Sequence, residues 1–180
     1  NELVNYAQTH GVDVIICDHH TPGEKLPKAY AVLDPKRSDC SYPFEELCGC
    51  VVAFKLVQAH VLHSGKDPES IRPYLDLVAT AIAADIVPMV GENRVLTYFG
   101  LEVLNTSPRP GLKALLGERF AKVNELVFLL APRINAAGRM KHATHAVELL
   151  LCTHLDQALV HAEAIESFNT QRKELDREVT

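Results

Sequence analysis

Three adjacent polar side chains, Asp18, His19 and His20, are the residues of this sequence best suited to chemistry. They directly follow residues 12–17, a nearly unbroken run of β-branched and other apolar residues. An imidazole nitrogen beside a carboxylate suits a divalent transition metal such as manganese or zinc. A carboxylate next to a ligating histidine can fix its tautomer, and a second histidine can contact a phosphate oxygen or transfer a proton. The alternative is a polar turn, and these residues alone do not decide between the two.

Asp85 is the second candidate, because it lies in residues 81–88 among almost exclusively apolar neighbours. A lone carboxylate in such surroundings is costly unless it is paired or bound to a metal ion. The alternative is an aspartate at the end of a helix that accepts hydrogen bonds from backbone amides. We favour the metal ligand.

A third candidate is the segment 132–139, which combines Arg133, Asn135 and Arg139 with small residues. Small residues let a backbone come close to a phosphate, and arginine supplies paired donors to its oxygens. This pattern favours a phosphate-binding role. A solvated loop between domains is the competing interpretation.

The cysteines indicate free thiols rather than a structural framework. The chain has five cysteines, an odd number without framework spacing, which is typical of a reducing cytosol. Cys48 and Cys50 lack a second Cys/His pair of matching spacing, so we expect small core residues there and not half of a metal site.

The candidate residues are spread over alternating strand and helix patterns. Residues 12–17 and 29–33 are predicted strands, the first buried on both faces, and residues 49–62 and 73–87 are predicted helices. Asn93 is a suitable N-cap for the next helix. The alternation predicts an α/β fold with a parallel sheet flanked by helices, followed by a mostly helical connecting segment. Asp18 would then lie at the carboxyl end of a strand, where such sheets bind ligands.

Composition excludes several classes of protein. Of the 180 residues 47% are hydrophobic and 23% charged, which is typical of a globular protein and not of a disordered chain. No apolar run approaches the roughly 20 residues that a membrane span requires. The net charge of −5 gives no broad basic surface for a nucleic acid, so any such substrate must bind a local patch or another segment.

Taken in order, these segments resemble the DHH phosphoesterase superfamily. The matching pieces cover nearly the whole chain: residues 14–20, 47–56, 77–89, 92–94 and 130–139, and the late pair Asn169 and Arg172. The asparagine-arginine element at 93–94 and the sequence PRINAAGR at 132–139 point to the single-strand-specific exonucleases of this superfamily. They point away from its small nanoRNA hydrolases and manganese pyrophosphatases.

The resemblance implies a parallel-sheet catalytic domain, a long connecting helix and a second, DHH-associated domain across a cleft. It implies two divalent cations, Mn²⁺ or Mg²⁺, and hydrolysis of single-stranded DNA from the 5′ end in recombination and repair. By position, His19 and Asp85 would be metal ligands, His20 would face the scissile phosphate, and Asp18 would orient its neighbours. The DNA backbone would be held near the domain junction by Arg133, Asn135 and Arg139.

The sequence departs from the family pattern in two ways. The aspartates that should precede the Asp-His-His strand are not found in residues 1–17, where Glu2 and Asp13 stand in the wrong places, and the second domain should follow Thr180. We therefore expect both ends to be cuts in a longer protein. Residues 1–140 would be the C-terminal part of the DHH domain, and residues 141–180 a helical connector towards the missing domain. Alone, this piece should hold an incomplete metal site and be inactive.

The expected activity is that of a 5′-to-3′ exonuclease in the cytoplasm, with single-stranded DNA as substrate and a single-strand-binding protein and a helicase as partners. Two alternatives remain open. One is a related phosphoesterase that acts on short oligonucleotides or cyclic dinucleotides. The other is a replication scaffold that keeps the fold without catalysis.

Overall fold

A computed structural model describes residues 2–140 and 143–179 of the chain. Two strands, β1 (Ile15–Cys17) and β2 (Ala31–Leu33), follow the first helix, α1 (Glu2–Thr9). The remaining described residues are mostly helical. Their α-helices are α2 (Gly49–His63), α3 (Leu75–Ala84), α4 (Gly91–Thr106), α5 (Pro110–Leu116), α6 (Val123–Glu125), α7 (Ala131–Met140), α8 (Thr144–Leu151) and α9 (Leu155–Val179). A 3₁₀ helix (Pro68–Tyr74) leads into α3, and a π-helical turn (Leu126–Leu130) joins α6 to α7.

The two strands are parallel, with Ile15 opposite Ala31 and Cys17 opposite Leu33. The prediction of an α/β fold with a parallel sheet is thereby confirmed, although the sheet of the described residues is small. The prediction that β1 is buried on both faces is wrong, since Ile15 is exposed and Ile16 half-buried. β1 pairs with β2 along one edge, and in residues 2–140 and 143–179 no strand pairs with its other edge.

Helix α3 lies between two hydrophobic clusters. Val78 and Ile82, on one face of α3, pack in a first cluster with residues of α2. Ala79 and Ala83, on another face, pack in a second cluster with residues of α5, the π-helical turn, α8 and α9. Because α3 contributes buried residues to both clusters, it joins the two parts of the core.

Helices α3 and α4 approach each other closely at Gly100. A Cβ at this position would lie 2.3 Å from the carbonyl oxygen of Leu75 and 2.5 Å from Cβ of Ala79. The alanines of α3 therefore serve a helix–helix contact here, which requires small residues on both sides.

The start of α4 differs from the prediction. The helix begins at Gly91 with Val90 as N-cap, so the prediction of Asn93 as N-cap is wrong. Asn93 lies inside the first turn and is fully buried. Its side chain bonds to carbonyl groups outside α4 instead of capping it.

The segment 132–139 is helical, because it lies within α7, so the alternative of a solvated loop is wrong. Pro132 has no backbone N–H and cannot donate a helical hydrogen bond. The π-helical turn ends at Leu130, two residues before Pro132. In this turn the hydrogen-bonded N–H and carbonyl groups are five residues apart instead of four. This shift lets the helix continue through the proline.

Helices α8 and α9 pack onto the second cluster through Ala146, Leu149, Ala158, Ala162 and Ile165. This part of the chain therefore shares a core with α3 and α5. The boundary at residue 140 stays a prediction. Among the described residues, no helix is both long and apolar enough to cross a membrane.

Candidate metal centre

The site begins where β1 ends. The backbone N–H of Asp18 still donates to the carbonyl oxygen of Leu33 at 2.9 Å, so Asp18 continues the pairing with β2. His19 and His20 then leave the sheet. They lie at the carboxyl end of parallel strands, the edge at which open α/β sheets bind ligands.

Asp18 organises this turn through one carboxylate oxygen. Oδ1 accepts the backbone N–H of His19 at 2.7 Å and that of His20 at 3.2 Å, and it lies 2.7 Å from Nδ1 of His20. The hydrogen bond from the His20 side chain, followed by that from the His19 backbone, holds the pKa of Asp18 below its ordinary value. Asp18 is therefore a carboxylate at neutral pH, and it fixes the orientation of the exposed His20 ring.

His19 and Asp85 are brought together although 65 residues separate them in the chain. Nε2 of His19 lies 3.4 Å from Oδ2 of Asp85. Asp85 directly follows α3 as its C-cap residue, and its carboxylate faces the imidazole of His19. The His19 side chain is 17% exposed and that of Asp85 is 42% exposed, so both are accessible from solvent.

The pair lines a cavity of about 290 Å³ to which several elements contribute. Its other lining residues are Cys48, Gly49, Cys50, Ala81, Ala84 and Asn135. Gly49, the first residue of α2, lies directly beside the His19 ring, because a Cβ there would be 3.4 Å from Cδ2. The start of α2, the end of β1, the end of α3 and α7 thus meet at one point.

Two cysteines, Cys48 and Cys50, form part of the cavity wall. Burial raises the pKa of Cys48, and it raises that of Cys50 to about 11. In the metal-free protein both thiols are therefore protonated at neutral pH. This agrees with the expectation of small core residues, but their place beside His19 was not evident from the sequence.

The residues present fit a divalent cation. The imidazole of His19 and the carboxylate of Asp85 are ligands that Mn²⁺ accepts, and they face the same cavity. Asp18, His19 and His20 also offer ligand atoms that all lie within 4.8 Å of one another. The donor set is oxygen and nitrogen, which suits a hard or borderline ion better than a soft one.

The three residues predicted to hold a DNA backbone have different surroundings. Asn135 lines the cavity with His19 and Asp85. The Arg133 guanidinium forms an ion pair with Glu166 and donates to the carbonyl oxygen of Leu129 at 3.0 Å, which ties α7 to α9. Arg139 belongs to α7, and its side chain lies outside the described residues.

A second cavity, of about 340 Å³, lies between β2 and α2. Its lining is mainly apolar and shares no residue with the first cavity. The basic residues that line this second cavity are already paired, Arg37 with Asp39 and Lys55 with Glu92. We therefore place the candidate site at His19 and Asp85.

The first part of the chain matches a known protein family. Residues 1–82 match the family model described as "DHH family, N-terminal domain". This part of the chain is therefore similar to the DHH family, and the predicted resemblance is confirmed.

The relatives that match beyond residue 82 are single-stranded-DNA-specific exonucleases named RecJ. The chain is 42% identical to RecJ of Bacillus subtilis, with 97% of this chain and 22% of that protein covered. It is 39% identical to RecJ of Salmonella typhimurium, with 97% of this chain and 33% of that protein covered. A solved structure of "exonuclease RecJ bound to manganese" superposes with a TM-score of 0.88 at 33% identity, over 99% of this chain and 46% of the other. The chain thus spans a third or less of the length of these two relatives.

Proposed function

We propose that this chain is part of a metal-dependent exonuclease that degrades single-stranded DNA from the 5′ end in recombination and repair. The observation that carries the proposal is the 3.4 Å approach of His19 Nε2 to Asp85 Oδ2 at the end of the parallel strands. Similarity to RecJ exonucleases along nearly the whole chain supports the choice of substrate.

The proposed cofactors are two divalent cations, Mn²⁺ or Mg²⁺, with His19 and Asp85 as ligands from this chain. The manganese named for the superposed RecJ structure supports this assignment. When bound, such ions lower the pKa of a coordinated water molecule and stabilise negative charge on phosphate oxygens. The 180-residue chain by itself would supply an incomplete site and bind these ions weakly.

The residues around the pair have distinct proposed roles. Asp18 holds His20 through Nδ1. This leaves Nε2 of the exposed ring to contact a phosphate oxygen or to move a proton at that oxygen. Asn135 offers amide donors at the wall of the same cavity, where a phosphate would be bound. Arg133 and Arg139 complete the proposed contacts to the DNA backbone, and for Arg133 this requires release from Glu166.

The proposed domain limits are residues 1–140 for the DHH domain and residues 141–180 for the connector. The family match to residues 1–82 and the 25-residue length of α9 support this division. The proposed compartment is the cytoplasm, because all five cysteines are free thiols. A helicase and a single-strand-binding protein are the proposed partners, since they would generate and present the single strand.

The experiment uses the protein extended to the length of its relatives, with Mn²⁺ and a 5′-phosphorylated single-stranded oligonucleotide. We expect release of nucleotides from the 5′ end, and His19→Ala or Asp85→Ala should reduce the rate about 100-fold or more through loss of a ligand. His60→Ala is the matched control, because His60 is an exposed histidine of α2 outside the cavity lining. The unextended 180-residue chain should release nothing.

Circular dichroism checks that each variant is folded. Nucleotide release that survives both substitutions would remove the assigned roles. Equal degradation of duplex DNA would refute the single-strand specificity.

A further inference from the structure

Asn93 is a buried side chain that connects two irregular segments of the chain. It lies in the first turn of α4 and has no exposed surface. Its Nδ2 group donates to the carbonyl oxygen of Glu46 at 2.7 Å and to that of Pro88 at 3.0 Å. Glu46 is 47 positions earlier in the sequence, so the first bond joins distant parts of the chain.

One of these carbonyl groups belongs to the segment that carries Asp85, and the other to a segment that leads to the backbone beside His19. Pro88 lies in the turn between α3 and α4, three residues after Asp85. Glu46 lies just before Cys48, which caps α2, and before Gly49, which abuts the ring of His19. The Asn93 amide thus joins the backbone that leads to Gly49, beside the His19 ring, to the turn that carries Asp85.

Neither segment has a regular hydrogen-bond pattern to fix its position. Residues 38–48 and 85–90 belong to no helix or strand. The geometry of such segments depends on the side chains that satisfy their backbone groups. Both donor hydrogens of Asn93 are used for this purpose, and burial makes the loss of either bond costly.

We propose that Asn93 is a positioning residue that holds His19 and Asp85 at the separation needed to bind one divalent cation. The inference rests on the proposed function, since it concerns the same metal centre. It assigns to Asn93 a role in metal affinity that is distinct from its contribution to stability.

The test compares two asparagines of the same helix. Asn105 also joins α4 to another segment of the chain. Its Nδ2 donates to the carbonyl oxygen of Leu101, within α4, at 2.8 Å and to that of Ala121 at 2.9 Å. It does not line the cavity of the metal centre. Asn93→Leu and Asn105→Leu remove the same donors and keep the number of side-chain heavy atoms. Both should therefore lower stability against urea.

Mn²⁺ affinity of the protein extended to the length of its relatives, measured by electron paramagnetic resonance of the free ion, separates the two variants. Asn93→Leu should weaken Mn²⁺ binding by about 10-fold to 100-fold, the range typical of residues that orient metal ligands, while Asn105→Leu keeps the wild-type affinity. In the metal-free protein, ¹⁵N resonances of the His19 ring should shift in Asn93→Leu and not in Asn105→Leu. Should the leucine variant fail to fold, Asn93→Ser, which keeps one donor, replaces it in both measurements.

His19→Ala, measured in the same way, distinguishes this inference from the proposed function. Unchanged Mn²⁺ affinity in His19→Ala would overturn the metal centre itself. Loss of affinity in His19→Ala together with wild-type affinity in the folded Asn93 variant would overturn the positioning role alone.

Discussion

At the scale of single residues, Asp18 has the most defined environment of the candidate site. One of its carboxylate oxygens accepts both backbone N–H groups of the following histidines and lies within hydrogen-bonding distance of the His20 ring. Hydrogen bonds to the charged form of a carboxyl group favour that form and lower its pKa. The turn that presents His19 and the protonation state of Asp18 are therefore coupled.

This coupling predicts a pH effect. In the metal-free protein the pKa of Asp18 lies below its ordinary value, mainly because of the hydrogen bond from His20. His20→Ala should raise that pKa towards the value of about 3.9 found in unfolded chains, as measured by ¹³C NMR of the carboxyl group. Because the folded-state pKa is the lower one, the stabilisation is present above about pH 4 and is lost as the pH falls through the folded value.

His60→Ala again serves as the control, since His60 is exposed on α2 and takes no part in this turn. It should leave the titration of Asp18 unchanged. An Asp18 titration that is the same with and without the His20 ring would contradict the assigned cause.

At the scale of elements, the turn between α3 and α4 carries backbone strain next to Asp85. Ile86 has φ of +57°, the left-handed region that β-branched residues rarely adopt, and its side chain is 86% exposed. Such a conformation costs about 1–2 kcal/mol for a residue with a Cβ. The exposed side chain recovers little of this by packing, so the surrounding contacts must hold the turn.

Ile86→Gly should therefore stabilise the protein. Relief of the left-handed conformation is partly offset by the greater freedom of glycine in the unfolded chain, which leaves a gain of about 0.5–1 kcal/mol in the free energy of unfolding. Val95→Gly is the control, because Val95 is also exposed but lies within α4, where the backbone is right-handed and glycine is unfavourable. Urea denaturation should show a gain at 86 and a loss at 95. A loss at both positions would contradict the strain.

The elements that the sequence predicts well are those with strong local patterns. The predicted helix at 49–62 agrees with α2 within one residue, because its apolar periodicity is set by its own residues. The prediction of Asn93 as an N-cap was wrong because cap propensity is a local property. One of the carbonyl groups that its side chain binds belongs to Glu46, 47 positions earlier. The burial of β1 was overestimated for a similar reason, since burial depends on neighbours from elsewhere in the chain.

The candidate site was predictable to a comparable degree. The rule on strand ends pointed to the turn that holds His19, and the resemblance pointed to both His19 and Asp85, whose side chains the structure brings to 3.4 Å. The ion pair of Arg133 with Glu166 was not predictable, because nothing in the charged pattern of α9 distinguishes Glu166 from its neighbours. Pairing between two helix surfaces depends on how the helices pack, which the sequence pattern leaves open.

At the scale of the whole molecule, one buried ion pair fastens the two parts of the core. Asp76 of α3 is 1% exposed, and its carboxylate accepts the Arg109 Nη2 group at 2.7 Å and the Arg109 backbone N–H at 3.2 Å. Arg109 precedes α5 and also donates to the carbonyl oxygen of Leu150, at the end of α8, at 3.3 Å. The pair thus links the helix that carries Asp85 to the helices of the second cluster.

Breaking this pair should cost far more than replacing it. Asp76→Ala leaves the Arg109 charge partly buried without its partner, and we expect a loss of about 3–5 kcal/mol in the free energy of unfolding. The double variant Asp76→Leu/Arg109→Met removes both charges and should lose less than either single substitution, because no buried charge remains unpaired.

The exposed pair of Arg72 and Glu102, whose side chains are 43% and 46% exposed, is the control, and Glu102→Ala should cost less than about 1 kcal/mol. Urea denaturation followed by circular dichroism measures the free energy of unfolding of each variant. A double variant whose loss of stability equals the sum of the two single losses would contradict the coupling. Neither Asp76 nor Arg109 lines the cavity of the metal centre, so the double variant should also keep its Mn²⁺ affinity as long as it is folded.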